Sequence, residues 1–237
     1  NFILNLYFSA RGLCSMELTD YTDYLPFWKQ LTPIQQQQIQ KEITFRQAPK
    51  GTLLYGGLEE CLGLLLIRSG QLRAFLLSQD GREITLYRLL DRDVCLFSAS
   101  CILHSIQFDI TIEAEKDTEF WLIPPGVYKK ITEESAAAAN YTNELMSSRF
   151  SEVMWLMEQI MWKSFDKRLA EFLLSECDLE GSSLLAITHE KIANHLGTAR
   201  EVVTRMLRYF QSEGFVKLSR GTVEVTDSKS LKKLTET

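Results

Sequence analysis

Thr188-His189-Glu190-Lys191-Ile192-Ala193-Asn194-His195-Leu196-Gly197-Thr198-Ala199-Arg200-Glu201-Val202-Val203-Thr204-Arg205-Met206-Leu207 reads as two short amphipathic helices on either side of a glycine. Ile192 and Leu196 stand one turn apart on the first helix. Val203, Met206, Leu207 and Phe210 recur at i, i+3, i+4 and i+7 on the second, so each helix has one apolar face. Gly197 follows the last periodic residue of the first helix, where a left-handed backbone costs glycine little. Thr198 is placed to cap the second helix, with Glu201 three positions on to complete a capping box. The outward face then carries Arg200, Glu201, Thr204 and Arg205 in its first two turns, the part of a recognition helix that reaches base edges. Arginine can bond guanine O6 and N7 in bidentate fashion, and glutamate can accept from cytosine N4. Two helices around a glycine also occur in proteins that bind no nucleic acid, and exposed arginines can be a solvated face. Spacing alone therefore leaves DNA contact and protein contact both open.

The residues that follow extend the pattern. Ser212-Glu213-Gly214 closes the second helix, and Phe215-Val216-Lys217-Leu218 and Thr222-Val223-Glu224-Val225 alternate with period two around Ser219-Arg220-Gly221. A helix-turn-helix followed by such a hairpin is a winged helix, whose wing can bring Arg220 to a phosphate. From Thr188 to Thr237 nine Lys or Arg stand against six Asp or Glu, a net of +3; the whole chain carries −5, which leaves −8 on the remainder. A basic module on an acidic body suits nucleic-acid binding.

On these residues the chain resembles the CRP/FNR family of bacterial transcription regulators. The likeness rests on 187–193, on 196–207 and on Phe210-Gln211-Ser212-Glu213-Gly214-Phe215-Val216. The three base-reading positions of the cyclic-AMP receptor branch fall on Arg200, Glu201 and Arg205 with all three residue types matched; the oxygen-sensing branch lacks an arginine at the first. The resemblance implies half-sites resembling TGTGA and backbone contacts from Thr188, Thr198, Arg208 and Arg220. It also implies double-stranded DNA and RNA polymerase as partners, and an α+β fold: an N-terminal cupin-like β-roll sensor domain, cyclic-nucleotide-binding-like, a long dimerisation helix, and a C-terminal winged helix-turn-helix. The expected divisions are 16–134, 135–162 and 163–237.

At 237 residues, with 45% hydrophobic and 24% charged, the chain has room for two modest globular domains. No apolar run approaches the roughly 18 residues of a membrane helix. Asn5-Leu6-Tyr7-Phe8-Ser9 reads as part of an expression-tag remnant over 1–15, with Met16 as the start and no basic n-region of a secretory signal. A cytoplasmic location is expected. Thr32 and Pro33 open a short helix, with Gln35 to Gln38 as its polar face. Short strands follow, punctuated by Pro49-Lys50-Gly51, Gly56-Gly57, Ser69-Gly70, Gln79-Asp80-Gly81 and Asp91-Arg92-Asp93, the spacing of a sandwich or barrel.

From Ser135 to Trp162 there is neither proline nor glycine, and Ala136, Ala139, Asn143, Met146, Phe150, Val153, Met157 and Ile160 recur at alternating steps of three and four. This is a heptad seam. A globular core helix gives the same pattern, but the resemblance implies a helix buried against its twin in a parallel homodimer, with Asn143 fixing register. Trp155, Leu156 and Trp162 lie off the seam and are expected to pack on the β-roll or on the DNA-binding domain.

The effector is not legible. Cyclic-AMP receptors hold the phosphate with a Gly-Glu pair and an Arg-Ser pair; here those positions fall on Leu96-Phe97 and Phe108-Asp109. An aspartate repels a phosphate, so cyclic AMP in the family's usual mode is not expected and the cofactor is unassigned. Cys95, Cys101 and His104 in this loop are candidates for an effector or redox site. Their Cys-x5-Cys-x2-His spacing matches no known zinc pattern, and free cysteine is among the most buried residue types. No metal site is assigned. No nucleophile motif, Walker loop or dinucleotide fingerprint marks an enzyme, and His189 and His195 are expected to be polar surface. The competing function is a ligand- or redox-sensing module whose helix-turn-helix makes protein contacts.

Overall fold

A computed structural model describes residues 20–56, 62–96 and 110–236. The presumed tag, Phe97, Cys101, His104 and Phe108-Asp109 lie outside them. The chain divides into two compact units: residues up to Phe75 with Tyr87–Ser151, and Leu76–Leu86 with Glu152 onward.

In the first unit, two single-turn 3-10 helices at Asp20–Tyr24 and Trp28–Gln30 precede α1 (Pro33–Glu42). Thr32 caps α1 by accepting from the Gln35 amide, and the Gln35 side chain returns to the Thr32 amide at 3.0 Å. That reciprocal bond is why Gln35 is buried while Ile34 is exposed, against the expectation of four glutamines on one polar face.

Eight strands follow: β1 (Thr44–Ala48), β2 (Leu53–Gly56), β3 (Leu64–Ser69), β4 (Leu72–Leu77), β5 (Glu83–Leu89), β6 (Val94–Cys95), β7 (Ile110–Ala114) and β8 (Thr118–Ile123). They form two four-stranded sheets, ordered β1-β8-β3-β6 and β2-β7-β4-β5, in which every pairing but that of β4 with β5 joins strands far apart in sequence. Strand β8 runs antiparallel to both neighbours, pairing Thr44 with Leu122 on one side and Leu64 with Ile123 on the other. Strand β3 is apolar at successive positions because both of its faces are covered. Leu64 and Leu66 join Trp121 and Ile123 in a cluster with Tyr21, Leu25, Ile39 and Tyr128, while Leu65 and Ile67 point to the other side and are equally buried. Tyr21, Tyr24 and Phe45 surround the Trp121 indole edge-on, with centroids 5.3 to 6.4 Å away.

The turn into β4 depends on Gly70. Its φ is +101°, and a Cβ there would lie 2.4 Å from the Asp117 carbonyl oxygen, so no other residue fits without backbone movement. Beside it lies a buried polar network. Gln71 donates its amide to Thr118 Oγ1 (3.1 Å) and its side chain to Glu115 Oε2 (2.7 Å), which also accepts from Arg88 Nε (2.7 Å). The Gln71 amide and the Arg88 guanidinium are thereby each offset by a buried acceptor.

Helix α2 (Pro125–Glu134) leads through Ser135 into α3 (Ala136–Trp162). The first half of α3 is fastened to its own unit: Ala138 is fully buried and the Thr142 hydroxyl meets Tyr128 OH at 2.7 Å. Burial pushes the Tyr128 phenol up to about 12. The compact division falls inside α3, between Ser151 and Glu152.

The second unit adds α4 (Phe165–Glu180), β9 (Leu184–Leu185), α5 (His189–Leu196), α6 (Arg200–Ser212), β10 (Val216–Ser219), β11 (Thr222–Val225) and α7 (Ser228–Glu236). Its sheet runs β10-β11-β9. Leu169, Leu173, Ile192, Val203, Leu207, Phe210, Val223 and Leu231 form one apolar core. Burying each of the larger side chains contributes about 1.5 to 3 kcal/mol.

Candidate nucleic-acid interface

Thr188 caps α5, accepting from the Lys191 amide at 3.1 Å. The helix ends at Gly197, with φ +64° and ψ +41°, and the amides of Gly197 and Thr198 both return to the Ala193 carbonyl. This closure overturns the expected capping box. Thr198 is engaged in finishing α5, so α6 begins one residue later with Ala199 at its N-cap, without a side-chain bond. Glu201 is left to complement the positive end of the helix dipole. Arg168 on α4 donates to the Leu196 carbonyl (3.4 Å), closing the turn from behind, and burial lowers its pKa. No local pattern in the sequence marks that contact.

Along α6, Val203, Leu207 and Phe210 are fully buried, while Arg200, Glu201, Arg205 and Arg208 are exposed. Thr204, on the same outer side, is half-buried, and its hydroxyl lies 2.9 Å from His189 Nδ1. Burial first, then Arg200 and Arg208, hold the His189 imidazole below the usual histidine range. The wing pairs Val216 with Val225 through Ser219 with Thr222, so Ser219 belongs to the strand and the turn is Arg220-Gly221, with Arg220 exposed. Gln211 anchors the wing to α6 by accepting from the Leu218 amide at 3.0 Å.

Other expected positions fall differently. His195 is buried rather than surface: Thr85 Oγ1 of the Leu76–Leu86 segment lies 2.8 Å from its Nδ1, and Phe172 packs against the ring. On α3, Phe150, Met157 and Ile160 are 67%, 48% and 42% exposed in the single chain, and Val153 is half-buried. Met146, expected on the same seam, instead packs on the first unit's core. Of the residues expected to pack off the seam, Leu156 is half-buried while Trp155 and Trp162 are exposed. Asn143 is exposed.

Cys95 is buried in β6, opposite Leu65, and Leu96 belongs to the first unit's core. Burial, Asp178 and Glu176 push the Cys177 thiol up, away from the reactive thiolate. Among the described residues no group of three or more His, Cys, Asp or Glu could hold a metal ion, and no helix is long and apolar enough to cross a membrane.

These two units, an antiparallel double-sheet roll and a winged helix with a basic outer face, are the parts of a DNA-binding transcription regulator, and comparison with known proteins places the chain among them. Residues 167–234 match the Crp-like helix-turn-helix domain. The chain is 59% identical to a transcriptional regulator of the CRP/FNR family from Eubacterium rectale whose crystal structure superposes with a TM-score of 0.89, over 91% of this chain and 100% of that one. It is 28% identical to the cyclic AMP receptor protein of Thermus thermophilus over 72% of this chain and 78% of the relative. It is 26% identical to the transcriptional activator protein anr of Pseudomonas aeruginosa over 79% of each. The chain belongs to the CRP/FNR family and is a DNA-binding transcription regulator.

Proposed function

We propose that this regulator acts as a cytoplasmic homodimer that reads a pseudo-palindrome, with Arg200, Glu201 and Arg205 at base edges. Thr188, Thr198, Arg208 and Arg220 contact phosphates, and RNA polymerase is the further partner. The observation that carries this is the division of α6: Val203, Leu207 and Phe210 are fully buried while three arginines and a glutamate stand exposed. Helix α3 supplies the pairing surface. Phe150, Met157 and Ile160 leave a row of apolar surface that a lone soluble chain has reason to cover. Thr204 joins Arg200, Glu201 and Arg205 at base edges, with its hydroxyl bonded to His189.

In this scheme 16–134 is the sensor, 135–162 the pairing helix and 163–237 the DNA-binding domain. An effector in the roll alters how the two α3 helices pair and so sets the spacing of the recognition helices near one DNA turn, about 34 Å. Cys95 is buried and Cys177 is held as a thiol, so neither favours the redox reading.

Selection of bound duplexes from a random library, with and without reductant, tests the proposal: a two-fold-symmetric site is expected. Arg205→Ala should cost about 1 to 3 kcal/mol of binding and relax one base position. If that variant bound every sequence as the parent does, the base-reading assignment would fail. A monomer by light scattering at micromolar concentration would sink the dimer.

A further inference from the structure

His189 and Thr204 form a pair whose chemistry reaches past shape. The threonine sits between Glu201 and Arg208 on α6, one residue before Arg205, and its hydroxyl is held by Nδ1 of a histidine in the first turn of α5. A hydroxyl has one hydrogen and two lone pairs, so what it offers outward depends on what its partner takes. A neutral imidazole protonated at Nε2 has Nδ1 as an acceptor. Thr204 then spends its hydrogen on His189 and presents only lone pairs, which match the amino groups of adenine or cytosine. In the imidazolium both ring nitrogens donate. Nδ1–H then bonds Thr204 Oγ1, and the hydroxyl hydrogen is released toward guanine N7 or O6, thymine O4, or a phosphate oxygen.

We propose that His189 is a specificity-determining positioning residue whose protonation state switches Thr204 between acceptor and donor toward DNA. The proposal rests on the placement of α6 in the major groove argued above. The charges around the imidazole make the switch responsive. Arg200 and Arg208 on α6 face it, while Glu190, next along α5, is exposed. Half-burial and the two arginines keep it neutral in the free protein at neutral pH. Duplex phosphates neutralise those same arginines and favour the protonated ring. DNA binding therefore takes up a proton, and acid strengthens it. The free protein has the opposite sign: with the folded pKa below the unfolded one, its stability falls as pH drops through the ordinary histidine value.

Competition binding at about pH 6 and about pH 8, with duplexes varied at the base pair that Thr204 faces, tests this. The parent should shift its preference from C toward G or T on acidification, by about three- to tenfold, with A, which offers both a donor and an acceptor, changing least. His189→Gln, which cannot titrate, and Thr204→Val, which has no hydroxyl, should each abolish the shift, and Thr204→Ser should restore it. Should His189→Gln fail to fold, the Thr204→Val and Thr204→Ser pair carries the test. A parent that does not shift, or a His189→Gln variant that shifts as the parent does, overturns the proposal. Arg205→Ala run alongside separates the two failures. If it relaxes its own position while the pH shift is absent, only the switch is wrong; if it relaxes nothing, the placement of α6 in the groove is wrong and the switch falls with it.

Discussion

The two units solve the same packing problem with different materials. The first buries Gln71, Arg73, Glu115, Thr118, Ser135 and Thr142 within its fold, and it satisfies the central ones by bonds between residues 44 or 47 positions apart in sequence. The second has a core of aliphatic and aromatic side chains, with polar bonds between residues three apart at Thr188 and Asp227 and a single buried histidine, His195, held from Thr85, among its described residues. Specificity is stored at different sequence ranges in the two units. In the roll it lies in long-range polar pairs, which an antiparallel sheet must assemble before any of them forms. In the winged helix it lies in short-range rules of helix period, cap and glycine turn.

The contrast explains what could be read in advance. The helix-turn-helix, the wing and the long helix were legible because their signals span no more than a few turns. Gly197 needs its left-handed backbone, and Val203, Leu207 and Phe210 keep the helical period down to full burial. The capping box at Thr198 was misread where two local rules competed for one residue and the closure of α5 won. His195 was misread because its cover, Thr85, lies 110 positions earlier. Strand β9 pairs only two residues, Leu184 and Leu185, with β11 and is too short to announce itself. Helix α4 did carry a signal, Leu169, Leu173 and Glu176 on one buried side, but its importance comes from Arg168, which no periodicity marks. The effector loop lies outside the described residues, and the sequence there departs from the cyclic-AMP pattern.

The largest effect is expected on removing a long-range partner from the roll. Glu115 accepts from both Gln71 and Arg88, and its side chain is 4% exposed. Glu115→Ala leaves a guanidinium and an amide without that acceptor inside the roll, and should cost about 3 to 5 kcal/mol by chemical denaturation. A loss no larger than that of an ordinary surface substitution would mean that the network is incidental and that the roll, like the winged helix, is held by its apolar core alone.

Gly197→Ala probes the other unit at its own kind of determinant. The new methyl must sit in a left-handed conformation, and it would stand 2.7 Å from Ile84 Cδ1, the movable end of a flexible side chain. The backbone term dominates, so destabilisation of about 1 to 2 kcal/mol is expected. DNA affinity should fall further than stability alone accounts for, because the angle between α5 and α6 changes with the turn. If binding per folded molecule were unchanged, the turn would serve folding and not presentation of α6.

The smallest effect is expected at a local bond of the second unit. Asp227 precedes α7 and accepts from the Ser230 hydroxyl (2.6 Å) and the Ser230 amide (3.0 Å). Those bonds, the hydroxyl first, with the Lys229 amide and the Lys233 charge behind them, hold its carboxyl below the usual aspartate range. A carboxyl depressed in the folded state stabilises above its unfolded value and loses that contribution as pH falls through the folded one. Asp227→Asn keeps an acceptor for the Ser230 amide and removes the charge. The difference in melting temperature between parent and variant should be small near neutrality and vanish toward the acid end, as the parent's own carboxyl protonates. A difference that persisted unchanged in acid would show that the side chain acts through packing, and would place a polar residue of the winged helix in the class of partner-dependent groups that the roll otherwise holds.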